Sequence, residues 1–294
     1  MRYGLALPNF TPLASTEAID AAAAAADRLG FESVWTTDHV LVDGSNDAAD
    51  YRINFDAIET LAWIAAKHPG LGLGTSVLVV PQRNAVILAK ELATLDALSS
   101  GRLTVGVGVG WNEKEFANVG AADRFHQRGA YLDETIALWR HLWSGSTEPF
   151  PGRFHPLDDY VFGPLPAQRS SLPIWVGART EPALARVGRL ADAYHSSATS
   201  PEAYARRIAT IREAASAAGR PMPALTARVR VSFSEPAESS EARPYAIRGS
   251  VDEMRAEIQK WEDLDVEQLT IWFSADSAEA QIAAAERFAK EFVD

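Results

Sequence analysis

The chain has 294 residues and no cysteine, so disulfides, thiolate metal sites and a cysteine nucleophile are excluded. Its 39 acidic and 28 basic residues leave a formal net charge of −11, which repels phosphate backbones and argues against nucleic acid as a partner. No apolar run reaches the ~18 residues that span a membrane. "MRYGLALPNF" opens as a strand rather than a charged leader with an apolar core, so a soluble cytoplasmic protein is expected.

In chain order, residues 3–7 read as a buried strand. Residues 15–29 read as a helix that Ser15 caps and Gly30 stops. "FESVW" (31–35) is strand-like, 56–67 helix, 71–79 strand, 84–98 helix up to Gly101, and 102–109 strand. Residues 126–143 are predicted helical, with Tyr131, Leu132, Ile136, Leu138, Trp139 and Leu142 on the apolar side. Residues 144–172, rich in proline and aromatics, read as an insertion with local structure. The alternation then resumes: strand 173–176, helix from 181, strand 192–195, helix 202–217, strand 225–233. The loop "SEPAESSEARPYAIRG" follows, then a helix 251–262 with a Ser250–Glu253 capping box, a strand 267–273 and a helix 277–291.

Eight strand–helix units over this length predict an α/β protein, a (β/α)8 TIM barrel forming one domain over 1–294. An open doubly wound sheet is the runner-up. In such a barrel the active site lies at the C-terminal ends of the strands, which singles out the residues that follow each one.

Asp38 and His39 follow the second strand in "VWTTDHV". Histidine exchanges protons near neutral pH, and the preceding carboxylate is placed to orient a ring or a ligand. Read from the residues alone, the pair is either functional or a hydrogen-bonded strand end. In "GVGVG", Gly106 reads as tight packing. Gly108 and Gly110 at the rim read as room for a flat ligand to approach the backbone. Trp111 is then a wall for that ligand and substrate, or plain packing. The run is neither a dinucleotide fingerprint nor a Walker loop. The backbone of Gly177, Ala178 and Arg179 precedes a helix, where N–H groups bind anions; an ordinary turn is the other reading. His195 ends a strand and is a candidate for the substrate pocket. The other four histidines, His68, His126, His141 and His155, read as structural. No two histidines have metal-ligand spacing, so no metal is expected.

The segments "GFESVWTTDHV", "LGLGTSVLVVPQRNAVILAKELATLDALSSGRLTVGVGVGWNEKEF" and "LPIWVGARTEPALARVGRLADAYH" resemble the bacterial luciferase-like monooxygenase superfamily. They are most similar to its branch that uses the deazaflavin coenzyme F-420. The resemblance implies a TIM barrel with an insertion, usually a homodimer, acting on a small-molecule substrate. It implies a non-proline cis peptide at Ser76–Val77, in a bulge under the cofactor ring. It places Asp38 and Val79 near the cofactor, Gly108 and Gly110 along its side chain, and the phosphate on Gly177, Ala178 and Arg179. His39 becomes the catalytic proton donor or acceptor. The cofactor transfers hydride, so the implied reaction is a two-electron oxidoreduction; FMN with a partner reductase, or binding without catalysis, are the alternatives. The sugar-phosphate dehydrogenases of this branch carry an acid where this chain has Trp111. That departure predicts an apolar or aromatic-walled pocket lacking a second acid–base group at that place.

Overall fold

The computed structural model describes residues 1–233 and 245–293. Most of the predicted loop between the seventh strand and the seventh helix therefore lies outside the described residues. Among the described residues, six of the eight long helices start where short polar side chains replace missing backbone partners. Ser15 Oγ accepts from the Ala18 N–H and starts α1 (Thr16–Arg28). Asp56 caps α2 (Ala57–Lys67), and Asn84 caps α3 (Ala85–Leu98). The helix α4 (Arg128–Ser144) ends at Gly145, whose φ of 86° is left-handed. The remaining long helices are α5 (Glu181–Leu190), α6 (Pro201–Ala217), α7 (Val251–Glu262) and α8 (Ala278–Phe292). The capping box of Ser250 and Glu253 is formed as predicted.

Between the helices run β1 (Arg2–Ala6), β2 (Ser33–Thr36), β3 (Gly72–Thr75) and β4 (Leu103–Gly108). They continue as β5 (Ile174–Val176), β6 (Ala193–Ser197), β7 (Ala224–Ser232) and β8 (Val266–Phe273). Hydrogen-bonded neighbours follow chain order from β1 to β8, and β8 pairs in parallel with β1. That is the (β/α)8 order predicted from the alternation. A short strand, Ala246–Arg248, joins the outside of β7; its three residues carry no alternation to reveal it. The described residues divide into two compact units.

Unit 1 holds Met1–Pro8, Leu13–Trp35 and Val176–Asp294. Phe288 of α8 meets Tyr3 edge-on at 5.2 Å and Phe273 at 5.7 Å. Gly4 has no side chain because a Cβ there would lie 2.5 Å from the Trp35 indole nitrogen.

Unit 2 holds Asn9–Pro12 and Thr36–Trp175. Trp139 and Trp143 dock α4 on α3, donating to the Ala85 and Ala89 carbonyls at 2.9 and 3.1 Å. The insertion carries a short antiparallel pair, Phe150–Pro151 with Pro156–Leu157. It is tied to α4 by Glu134, whose carboxylate accepts the N–H groups of Arg153, Phe154 and His155.

One predicted strand is corrected. Residues 71–79 form two pieces, Gly72–Thr75 and Leu78–Val79, interrupted by a cis peptide between Ser76 and Val77. Both pieces pair with β4. The apolar run hides the break, because the residues on both sides of it are buried.

Candidate functional site

In unit 2 the end of β2 is clamped from below by Asn9, which is fully buried. Its amide donates to the Thr37 carbonyl at 2.7 Å, and its carbonyl accepts from the Thr37 N–H at 2.9 Å. This fixes the backbone that presents Asp38 and His39. The two side chains then diverge. Asp38 accepts from the Val79 N–H at 2.9 Å and from Arg83 at 2.6 Å. Arg83 reaches on to Asp56, the cap of α2, at 2.7 Å. Asp38 thus holds the chain just after the cis peptide. Its oxygens bond Val79 and Arg83 rather than the His39 ring.

The carboxylate on His39 comes from Glu115 instead. His39 Nδ1 lies 2.8 Å from Glu115 Oε2. The other oxygen, Oε1, accepts from the Val40 N–H at 2.6 Å and from the Leu41 N–H at 3.3 Å. Glu115 stands on a short helix, Glu113–Asn118, whose cap Asn112 accepts the Glu115 N–H. Burial pushes the Glu115 carboxyl up, but hydrogen bonds from His39 and the Val40 N–H outweigh it and hold it below the ordinary carboxylate range. A buried carboxylate with this many donors stays charged. The absence of an acid at Trp111 therefore does not leave His39 alone. The carboxylate arrives four positions later in the chain, through a helix too short to show periodicity.

The rest of the His39 surroundings are aromatic. The Tyr51 ring lies 4.1 Å from the imidazole centroid, and Trp111 meets it edge-on at 6.0 Å. His39 is 8% exposed and Trp111 49%. Asn54 donates to the His39 carbonyl at 3.0 Å. Val40, Leu41, Asp43, Tyr51, Arg52 and Asn54 line a cleft of about 300 Å³.

The glycine run has a different reason from the one its sequence suggests. A Cβ on Gly106 would stand 1.9 Å from the Thr75 carbonyl oxygen, and one on Gly108 2.7 Å from Val77 Cγ2. At Gly110 it would stand 2.5 Å from Val79 Cγ1, at a φ of 75°. The missing side chains at Gly108 and Gly110 make room for the interrupted strand beside them. Val79 itself packs with Phe116 and Ala121.

In unit 1 the Ala178 carbonyl accepts from the Tyr194 hydroxyl at 3.1 Å. Arg179 is exposed and donates to the Ser197 carbonyl at 3.1 Å. Thr180, the cap of α5, makes no side-chain cap hydrogen bond. Ser196 Oγ is buried without a partner. His195, the candidate for the substrate pocket, is 2% exposed, stacks on Trp35 at 5.3 Å and bonds Thr226 at 2.9 Å. Burial, then the Arg228 guanidinium, lower it to about 3, so it is neutral at ordinary pH.

Two buried amides in unit 2 lack completed hydrogen bonds. Among the described residues they are Gln82, whose amide faces the Glu115 carboxylate and helps to lower its pKa but whose Oε1 has no partner, and Asn112 at its Nδ2. Buried polar groups are normally paired. A flat cofactor edge carrying both donors and acceptors suits such unfilled amides, so the residues around His39 fit a flavin-like ring.

The chain is 30% identical over 278 residues to an F-420-dependent glucose-6-phosphate dehydrogenase of Kineococcus radiotolerans, covering 88% of this chain and 80% of that protein. Its fold matches an F-420-dependent secondary alcohol dehydrogenase, solved with an F-420–acetone adduct, at a TM-score of 0.82 over 100% and 99% of the two chains, with 18% identity. It also matches the FMN-bound oxygenating constituent of a diketocamphane monooxygenase of Pseudomonas putida, at a TM-score of 0.80 over 100% and 98%, with 15% identity. The sequence model of the luciferase-like monooxygenases matches residues 1–293. With strand order, cis peptide and glycine-packed bulge all in place, the chain belongs to the luciferase-like monooxygenase family.

Proposed function

We propose that the protein is an oxidoreductase that moves a hydride between coenzyme F-420 and a small organic substrate. The observation that carries this reading is the His39–Glu115 pair at the end of β2. A hydride transfer that makes or consumes an O–H or N–H bond needs a proton handled beside the reacting carbon. The similarity to an F-420-dependent dehydrogenase supports the choice of cofactor.

When bound, the deazaflavin supplies the two-electron hydride chemistry. The protein's part is position and proton. Ser76 and Val77 would lie under the ring, on a backbone that Asp38 holds through the Val79 N–H. Gln82 and Asn112 would meet its polar edge, with Gly108 and Gly110 beside its side chain. His39 would exchange the substrate proton at its second ring nitrogen, and Trp111 with Tyr51 would wall the substrate. Within unit 1, the turn Gly177, Ala178 and Arg179 would hold an anion: Thr180 leaves the start of α5 uncapped by a side chain, and a helix start favours negative charge.

The chain has eight tryptophans, so intrinsic fluorescence reports ring binding. Titration with oxidised F-420 and, separately, with FMN should show tight F-420 and weak FMN binding. A preference for FMN would overturn the hydride reading and favour an oxygen-using enzyme supplied by a reductase.

A further inference from the structure

The geometry points to Glu115 as the positioning residue that fixes the tautomer of His39, keeping the proton on Nδ1 and leaving Nε2 as the nitrogen that takes a proton from substrate. Glu115 Oε1 faces two backbone N–H groups, Val40 at 2.6 Å and Leu41 at 3.3 Å. Only an acceptor satisfies that side. Oε2 faces His39 Nδ1 at 2.8 Å, and a carboxylate there is again an acceptor. The ring must therefore donate from Nδ1, and its lone pair lies on Nε2. That second nitrogen has no hydrogen-bond partner among the described residues.

The inference rests on the hydride-transfer reading for its chemistry but not for its geometry. In the oxidative direction the heteroatom–hydrogen bond of the substrate breaks and its proton goes to Nε2. The electron pair of that bond forms the new π bond to carbon, and the hydride on that carbon leaves to the oxidised deazaflavin. His39 ends as an imidazolium, and Glu115 compensates its charge at Nδ1. The reverse direction uses the same proton from Nε2.

The test is a one-atom change. In Glu115→Gln the amide oxygen must face the Val40 and Leu41 N–H groups, because the amide NH2 would clash with them as donor against donor. The NH2 then faces Nδ1, and His39 must carry its proton on Nε2. Nitrogen-15 NMR of the imidazole in the protein without cofactor reads this directly. Expected is an Nδ1–H ring in the wild type and an Nε2–H ring in Glu115→Gln. A wild-type ring protonated on Nε2 overturns the inference, and that measurement needs no variant. An unchanged Nδ1–H ring in Glu115→Gln overturns it as well.

In turnover, Glu115→Gln should lower kcat ~100-fold, because general-base catalysis is typically worth ~10²–10⁴-fold. Cofactor affinity should stay within about twofold of wild type. Equal kcat would remove Glu115 from the mechanism. If F-420 fails to bind at all, the proposed function falls while the tautomer measurement still decides the role of Glu115.

Discussion

At the scale of single residues, His39 was readable and its partner was not. A histidine just after the second of eight strands stands where barrel enzymes keep their chemistry, and position alone selects it. Glu115 is separated from it by 76 positions, and one acidic residue in "NEKEF" looks like its solvent-facing neighbours. Its burial at 1% exposure is a tertiary fact. Adjacent side chains at a strand end point to opposite sides, so Asp38 turns to Arg83 while His39 turns to Glu115. Replacing His39 by alanine should lower turnover ~10²–10⁴-fold while F-420 still binds, the usual size of a general acid–base contribution. Unchanged turnover in a steady-state assay would move the proton elsewhere.

Among elements, the legible ones were those with polar caps and regular apolar spacing. Ser15, Ser250 and the apolar face of α4 lie where the sequence placed them. The very short strand Ala246–Arg248 was missed, because three residues carry no period, and the break at Ser76–Val77 was legible only through the family resemblance. Asp56 illustrates an element held by chemistry beyond its cap. It accepts from the Ile58 N–H at 2.8 Å and from Arg83 at 2.7 Å. Against the opposing cost of burial, a hydrogen bond shared with Glu59 and the Arg83 guanidinium bring it down to about 2. The same bond, followed by burial, raises Glu59 to about 7. Asp56→Ala should therefore cost about 0.5–2 kcal/mol for the lost cap, read by urea unfolding. It should also return the Glu59 titration, followed by NMR, toward the ordinary carboxylate range. A Glu59 that still titrates near 7 in the variant would show that burial alone sets its value.

For the whole molecule, strand order was readable because eight alternations leave few arrangements. Its response to acid follows from a buried group. His195 is held at about 3, against an ordinary value of 6.5. Between those values the unfolded chain binds a proton that the folded chain refuses. Stability from this group is complete above pH 6.5 and is lost as pH falls toward 3. His195→Gln keeps a polar partner for Thr226 and removes the titration. The slope of unfolding free energy against pH in that window should then flatten by up to about 1.4 kcal/mol per pH unit. An equal slope in wild type and variant would place the acid sensitivity in the carboxylates.

The glycine run beside the cis peptide has a consequence for how the sequence can change. Gly108 is excluded from alanine by a side chain, Val77 Cγ2 at 2.7 Å, whereas Gly106 is excluded by a backbone oxygen at 1.9 Å. A crowded core typically costs ~1–3 kcal/mol, and Gly108→Ala alone should show that loss in urea unfolding. Paired with Val77→Ala, which removes the obstructing methyl, it should recover much of it; an additive double variant would refute the contact. No partner can rescue Gly106→Ala, since a carbonyl cannot be trimmed. Two glycines that look alike in the sequence thus differ in evolutionary freedom: one drifts only in step with its neighbour, and the other does not drift at all.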